Sequence, residues 1–338
     1  MIRESKPPWD EVPSEAKIEL ARIAGGPIVD ATIAWGGYGP SATFILRTAR
    51  GEKFFCKGTH PGYTHAGQAA YELELYYYQT IPELAEFGPA FRGAVHHGEW
   101  CLLVLDYVQR AIEVPPWTEA AFLDAITMLA RFHRATPARV RDILPVAEHQ
   151  TGIAALYAAE NGWKSLTAPD QRTRFFALFE ARAAASRWLD AHLAEFVAHE
   201  ARASKLVGPR SWVHHDIRSD NLLLRGEGPP LLVDFPFLAI GPTVMDVAFF
   251  LPSVAGEGGP HPREGLRRYE QVSGMRFDSA EVCAVVAAIA GFFAARAGQD
   301  EIPGLPRLRW VQKLQLFPSL TWLSEILGIE PPPRWRRF

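Results

Sequence analysis

Cysteine is scarce in this chain: Cys56, Cys101 and Cys283 are the three among 338 residues. They show no metal-type spacing and sit in apolar runs. That excludes a disulfide framework and points to reduced, buried thiols. Neither sign of charge is in excess, with 35 lysines and arginines against 38 aspartates and glutamates and a formal charge of −3. A nucleic-acid binder should carry a basic excess or stripe, so no nucleic-acid partner is expected. Long hydrophobic runs are missing too. The longest candidate, "VCAVVAAIAGFFAARAG" from Val282, falls short of the roughly 18 apolar residues of a membrane span and reads as a buried helix. The opening "MIRESKPPWDEVPSEAKIELA" lacks the apolar segment of a secretory signal. A soluble, cytoplasmic protein with no membrane partner is expected.

Several catalytic signatures are absent as well. There is no G-x-S-x-G for a serine hydrolase and no G-x-x-x-x-G-K-S/T phosphate loop. The pairs His96–His97 and His60 with His65 come without an H-E-x-x-H helix, which argues against zinc hydrolysis. No internal repeat occurs. What remains is ordinary for a globular chain, 48% apolar and long enough for two domains.

Residues 14–24 predict a short amphipathic helix with Ser14 as its N-cap. "PIVDATIAWGGYGPSATFILRTARGEKFFCKG" reads as three short strands joined by glycine turns, with Phe55 and Lys57 on one face and Phe54 and Cys56 on the other. A helix over 65–80 follows, then strands near 91–97 and 100–108. After "EVPPWT" the texture changes to helical spacing: 119–136, 243–251, 262–273, 279–297 and 307–327. Minimal strands are expected around 211–213, 222–224 and 231–234. The organisation predicted is an α+β fold of two lobes. A small antiparallel sheet lobe with one helix spans 1–108, a proline-containing connector 109–117, and a helical lobe 118–338.

The chemistry concentrates in "HHDIRSDNLLL" (214–224) and "LVDFPFLAIGPTVMDVA" (232–248). Phosphoryl transfer needs a carboxylate to orient the attacking hydroxyl, hard oxygen ligands for magnesium, and a cation on the phosphates. Asp216 can be the first, with Asn221 and Asp234 as metal ligands. Asn221 leads into "LLL" and Asp234 ends "LLVD", so pairing those two strands would bring both oxygen donors to one end of a hairpin.

These segments resemble the aminoglycoside phosphotransferase family, a group with a protein-kinase-like fold. The family's H-x-D and following asparagine stand here as His214, Asp216 and Asn221. Its metal motif stands as "VDF" with Asp234, and its downstream G-D/P-x-x-x-D-x-A as "GPTVMDVA" with Asp246. "FFCKG", "ELELYYYQTIP", "LLVLDYV" and "LARFHRAT" are similar to the family's lysine strand, its glutamate helix, its hinge and its first large helix. The resemblance covers most of residues 30–325, in the family's order.

It implies a kinase using ATP (or GTP) and Mg²⁺. Lys57 would hold the α- and β-phosphates, oriented by Glu74, with Glu72 as the competing partner. The turn bearing Gly37 and Ser41 would cover the phosphates. Backbone of Leu105, Asp106, Tyr107 and Val108 would take the base. His214 and Asp246 would brace the catalytic loop. Arg218 would either neutralise the transferring phosphate or pair with Asp220. Two departures stand out: Pro236 follows "DF" where protein kinases have glycine, so Asp234 is expected to be fixed, and His215 fills a position where the family usually has glycine or arginine. His215 would pack against the metal loop or face substrate.

The acceptor implied by the resemblance is a small-molecule hydroxyl, most like that of the antibiotic phosphotransferases. A macrolide or a metabolite alcohol (choline-, homoserine- or sugar-kinase-like) stays open, as does a non-catalytic binding protein of the same fold. The carboxylates of 148–200 (Glu148, Glu160, Asp170, Glu180, Asp190, Glu195) would suit a polycation but read mostly as solvated helix faces. A monomer or weak homodimer is expected.

Overall fold

The computed structural model describes residues 3–110, 112–144 and 162–337; Glu148 and Glu160 lie outside them. Among the described residues no helix is long and apolar enough to cross a membrane. Contacts divide the chain into two compact units: Met1–Ile112 with Asp220–Phe237 and Pro303–Pro306, and Glu113–Ser219 with Leu238–Ile302 and Arg307–Phe338.

The first unit is built on five antiparallel strands, β1 (Ile28–Ile33), β2 (Ala42–Thr48), β3 (Lys53–Gly58), β4 (Phe91–His97) and β5 (Trp100–Asp106). Their spatial order is β1-β2-β3-β5-β4. Strand alternation sorts the side chains. Phe44, Leu46, Cys56, Leu102 and Val104 share a buried cluster with Ala16 and Leu20 of α1 (Ser14–Ile23). Helix α1 therefore packs on this face in addition to the helix expected over 65–80. Its N-cap is Pro13 rather than Ser14, and no side chain caps it. Lys57, opposite Leu103 in the β3–β5 register, points to the other face. There α2 (His65–Thr80) brings Glu74, its first turn capped by Thr64 Oγ1 accepting from Gly67 N at 3.1 Å. The strand ends on glycine because β5 runs so close: a Cβ at Gly58 would lie 1.8 Å from the Cys101 carbonyl oxygen.

A late hairpin also belongs to this unit. β7 (Leu222–Leu223) pairs with β8 (Leu231–Leu232), Leu222 opposite Leu232. Leu232 N donates to Phe87 O at 2.6 Å, and the Phe235 ring meets Tyr78 edge-on at 5.8 Å. A chain segment remote in sequence is thus tied to the sheet unit by backbone hydrogen bonding and aromatic burial.

The second unit is mainly helical: α3 (Glu119–Arg134), α4 (Val140–Ile143), α5 (Pro169–Phe176), α6 (Arg182–Glu200), α7 (Val244–Gly256), α8 (Pro262–Ser273), α9 (Ser279–Ala294) and α10 (Leu308–Leu327). The apolar α9 is buried along nearly its whole length and packs against α6, α7 and α10. Helix α7 runs past Pro252, where the sequence suggested a stop. Pro252 and its neighbours from Val244 to Val254 are buried, and that burial outweighs the one backbone bond a proline removes. A two-stranded ribbon, β6 (Arg210–Val213) with β9 (Ala239–Pro242), carries the loop that follows. Trp212 pins β6 to the end of α3. Its ring stacks on Phe132 at 4.8 Å, its indole N–H bonds the Phe132 carbonyl, and its amide donates to Thr136 Oγ1 at 3.0 Å.

Candidate active site

In the first unit one cation sits between two carboxylates. Lys57 Nζ lies 2.7 Å from Glu74 Oε2 and 2.6 Å from Asp234 Oδ1. Of the two glutamates weighed for this lysine, Glu72 is exposed and Glu74 is buried. Glu74 Oε1 also accepts the Phe235 amide at 3.2 Å, so one side chain positions both the lysine and the residue after Asp234. Burial by itself would lower the Lys57 ammonium, but Asp234 and Glu74 outweigh it and hold it above its ordinary value. Burial raises the Glu74 carboxyl; Lys57 opposes that rise and the Asp234 charge adds to it. Two carboxylates around one ammonium leave an excess of negative charge in a partly desolvated place, which favours a further cation.

The β7–β8 register shows where that cation would find ligands. Because Leu222 faces Leu232, Asn221 and Asp234 flank the same end of the hairpin, and Val233 N donates to Asn221 O at 3.1 Å. Asp234 adopts φ 72°, a left-handed conformation uncommon outside glycine and found where surrounding structure enforces it. An amide oxygen and a carboxylate are hard donors of the type magnesium takes together with phosphate oxygens. The residues fit that metal.

The other positions singled out in this unit surround the lysine strand. Gly37, with φ 61°, stands in the turn between β1 and β2, where a Cβ would meet nothing within 4 Å. Ser41 closes that turn, its carbonyl accepting from Lys6 Nζ at 3.5 Å. Leu105 and Asp106 end β5, and Tyr107 and Val108 continue it as half-buried chain. The Asp106 carboxylate is held in a two-pronged pair with Arg92, at 2.5 and 2.7 Å, and Lys53 covers the Tyr107 ring at 5.4 Å.

In the second unit the loop after β6 is held from behind by one buried carboxylate. Asp246, in the first turn of α7, accepts the amides of His214 and His215, each at 2.7 Å. Its Oδ2 also lies 3.1 Å from His133 Nε2. A carboxylate only accepts, so Nε2 carries the proton. The other ring nitrogen of His133 is 2.5 Å from the Tyr269 hydroxyl. Burial would raise the Asp246 carboxyl, yet the His133 bond and charge, with those of His215 and His214, bring it below the ordinary value. His214 Nδ1 accepts the Asp216 amide at 3.3 Å. His215 is buried and adopts φ 64°, which explains the usefulness of glycine at such a position. The Arg218 guanidinium pairs with Asp216 Oδ1. Farther along, Ser219 Oγ donates to Glu257 Oε1 at 2.5 Å, and Glu257 Oε2 accepts the Trp117 indole N–H at 2.8 Å.

The sequence did not mark His133 and Tyr269 as parts of this brace. His133 lies in the quoted "LARFHRAT" and looks like any histidine on an apolar helix face. Only the fold reveals its partner.

A phosphotransferase enzyme family model matches residues 30–282, and the chain belongs to that family. Solved structures are similar over nearly the whole chain, at low identity. A spectinomycin phosphotransferase in complex with ADP and spectinomycin is 14% identical, with 91% of this chain and 98% of that one covered and a TM-score of 0.55. An aminoglycoside phosphotransferase from Alicyclobacillus acidocaldarius is 17% identical, with 96% and 97% covered and a TM-score of 0.57. A microcompartment-associated aminopropanol kinase is 14% identical, with 93% and 98% covered and a TM-score of 0.54. No curated protein matches in sequence. These likenesses establish the kinase-like fold.

Proposed function

We propose that this phosphotransferase moves the γ-phosphate of ATP or GTP to a hydroxyl of a small molecule. The observation that carries the reading is Lys57, held by both Glu74 and Asp234. A structural surface lysine has no need of two carboxylates at contact distance, whereas a phosphate-binding one must be aimed and kept charged. In this reading residues 1–108 form the nucleotide lobe, 109–117 the connector and 118–338 the lobe with catalytic loop and acceptor site. Lys57 takes the α- and β-phosphates, and backbone at Gly37 with the Ser41 hydroxyl covers them. Backbone from Leu105 to Val108 holds the base. Asn221 and Asp234 are the ligands for Mg²⁺, which when bound supplies charge neutralisation on the phosphates.

Asp216 orients the acceptor hydroxyl and takes its proton as the new oxygen–phosphorus bond forms and the bond between the γ-phosphorus and the β–γ bridging oxygen breaks, releasing the nucleoside diphosphate. Arg218, starting from its pair with Asp216, stabilises negative charge on the transferring group. His214 and Asp246 fix the loop that carries Asp216 and stay out of the proton transfer. The protein acts in the cytoplasm as a monomer or weak homodimer, on a free small molecule.

An antibiotic of the aminoglycoside type is the first acceptor class to test. A metabolite alcohol is the second reading, favoured by the similarity to the aminopropanol kinase; a macrolide belongs in the same panel. The test is a screen of hydroxylated antibiotics and metabolites for ADP release with Mg²⁺ and ATP. At least one alcohol should stimulate release severalfold and emerge phosphorylated by mass spectrometry. If the chain binds MgATP but no alcohol is ever phosphorylated, the non-catalytic reading replaces this one.

A further inference from the structure

Residues 3–8 run past the glycine turn between β1 and β2 and touch it at both ends. At the β1 end the Arg3 guanidinium lies 4.6 Å from the centre of the Trp35 ring. At the β2 end Lys6 Nζ donates to Thr43 Oγ1 at 2.7 Å and to the Ser41 carbonyl oxygen at 3.5 Å. Thr43 Oγ1 in turn donates to Ala34 O at 2.8 Å, across the base of the turn. The segment itself is anchored. Glu4 and Pro7 are buried, Ser5 N donates to Gly304 O at 3.0 Å, and just beyond it Trp9 meets Phe44 edge-on at 5.2 Å.

Strand register shows where the Lys6 ammonium stands. Ala42 and Phe44 belong to the buried cluster on the α1 face, so alternation puts Thr43 on the opposite face, that of Lys57. Thr43 lies directly across from Lys57 in the β2–β3 pairing, which sets their Cβ atoms about 5 Å apart. Lys6 thus brings a second ammonium to the strand beside Lys57, at the carbonyl of Ser41. A neutral donor would suffice to tie down one hydroxyl and one carbonyl. A positive charge answers a different need: at Lys57 two carboxylates already outweigh one ammonium, and a nucleotide adds several negative charges of its own.

We propose that Lys6 is a nucleotide-binding residue whose ammonium, stationed at Thr43 and the Ser41 carbonyl, donates a hydrogen bond to the polyphosphate. The proposal rests on the reading of Lys57 as the phosphate-binding lysine. An ammonium has three donors, so Lys6 can keep its bond to Thr43 while it exchanges the long contact with Ser41 for a phosphate oxygen. That bond joins two charged groups and is stronger than one to a neutral carbonyl. Arg3 on Trp35 and Ser5 on Gly304 hold the backbone on either side and so limit where the lysine can reach.

The test is equilibrium binding of ATP, ADP and adenosine to the full chain and to four variants. Lys6→Met keeps the apolar stem and loses the charge; Lys6→Gln keeps a hydrogen-bond donor and loses the charge. Each should weaken ATP and ADP binding about tenfold and leave adenosine affinity unchanged, while Lys6→Arg retains most of the ATP affinity. Lys57→Ala reports on the underlying reading. If Lys57→Ala loses ATP affinity while Lys6→Met and Lys6→Gln bind ATP like the parent, the Lys6 proposal is overturned and the lysine reading stands. Equal weakening of ATP and adenosine in the Lys6 variants would assign the residue to the shape of the turn and overturn the proposal as well. If Lys57→Ala also binds ATP like the parent, both readings are overturned.

Discussion

At Lys57 the balance of charge decides what can bind. One ammonium lies against two carboxylates at 2.6 and 2.7 Å, and the lysine is held above its ordinary value. It therefore stays cationic throughout the physiological pH range. Of the two carboxylates Asp234 is the more exposed, its side chain 39% accessible against 2% for Glu74. In the proposed reading the two carboxylates divide the work: the buried one orients the lysine and the more exposed one is the metal ligand. Asp234→Ala is expected to abolish the strengthening of ATP binding by magnesium while leaving metal-free binding within a fewfold. A calorimetric titration with and without Mg²⁺ checks this; an unchanged magnesium effect would remove Asp234 from the metal role.

Among the elements, the loop 214–216 depends on helices that contribute no reacting group. β6 delivers it, Asp246 of α7 accepts its two amides, and His133 of α3 completes the carboxylate's partners. Asp246→Ala would leave these donors buried without their acceptor, a cost of about 3 kcal/mol or more. Denaturant unfolding measures it, and a loss below about 1 kcal/mol would show that the brace is not needed for the fold. This division explains what the sequence could disclose. Asn221 and Asp234 were legible because strand pairing converts a spacing of thirteen into a shared hairpin end. The strand face of Lys57 was legible because alternation is strict. The four-residue β9, with Gly241 and Pro242, has too little pattern to announce itself. The path of α7 through Pro252 follows from tertiary burial, which local propensity does not contain.

At the scale of the whole molecule, stability should depend on pH through a group remote from the candidate chemistry. Glu200 ends α6 only 4% exposed. Burial pushes its carboxyl from 4.5 to about 7, against the opposing backbone bonds of Trp163 and Lys164. The folded state thus binds this proton more tightly than the unfolded chain does. The stability it confers is complete below about pH 4.5 and is lost as pH rises through about 7. That interval, at about 1.4 kcal/mol per pH unit, corresponds to about 3 kcal/mol. Unfolding free energies between pH 5 and 8 should fall with pH in the parent and be markedly flatter in Glu200→Gln; parallel curves would refute the assignment.

The lysine cluster belongs to one compact unit and Asp216 to the other. The decisive measurement is a single-turnover reaction of Asp216→Ala with MgATP and the best acceptor, alongside its MgATP affinity. The account predicts that phosphoryl transfer slows by about 100-fold or more while MgATP is bound as tightly as by the parent. Transfer at the parental rate with MgATP bound would contradict it.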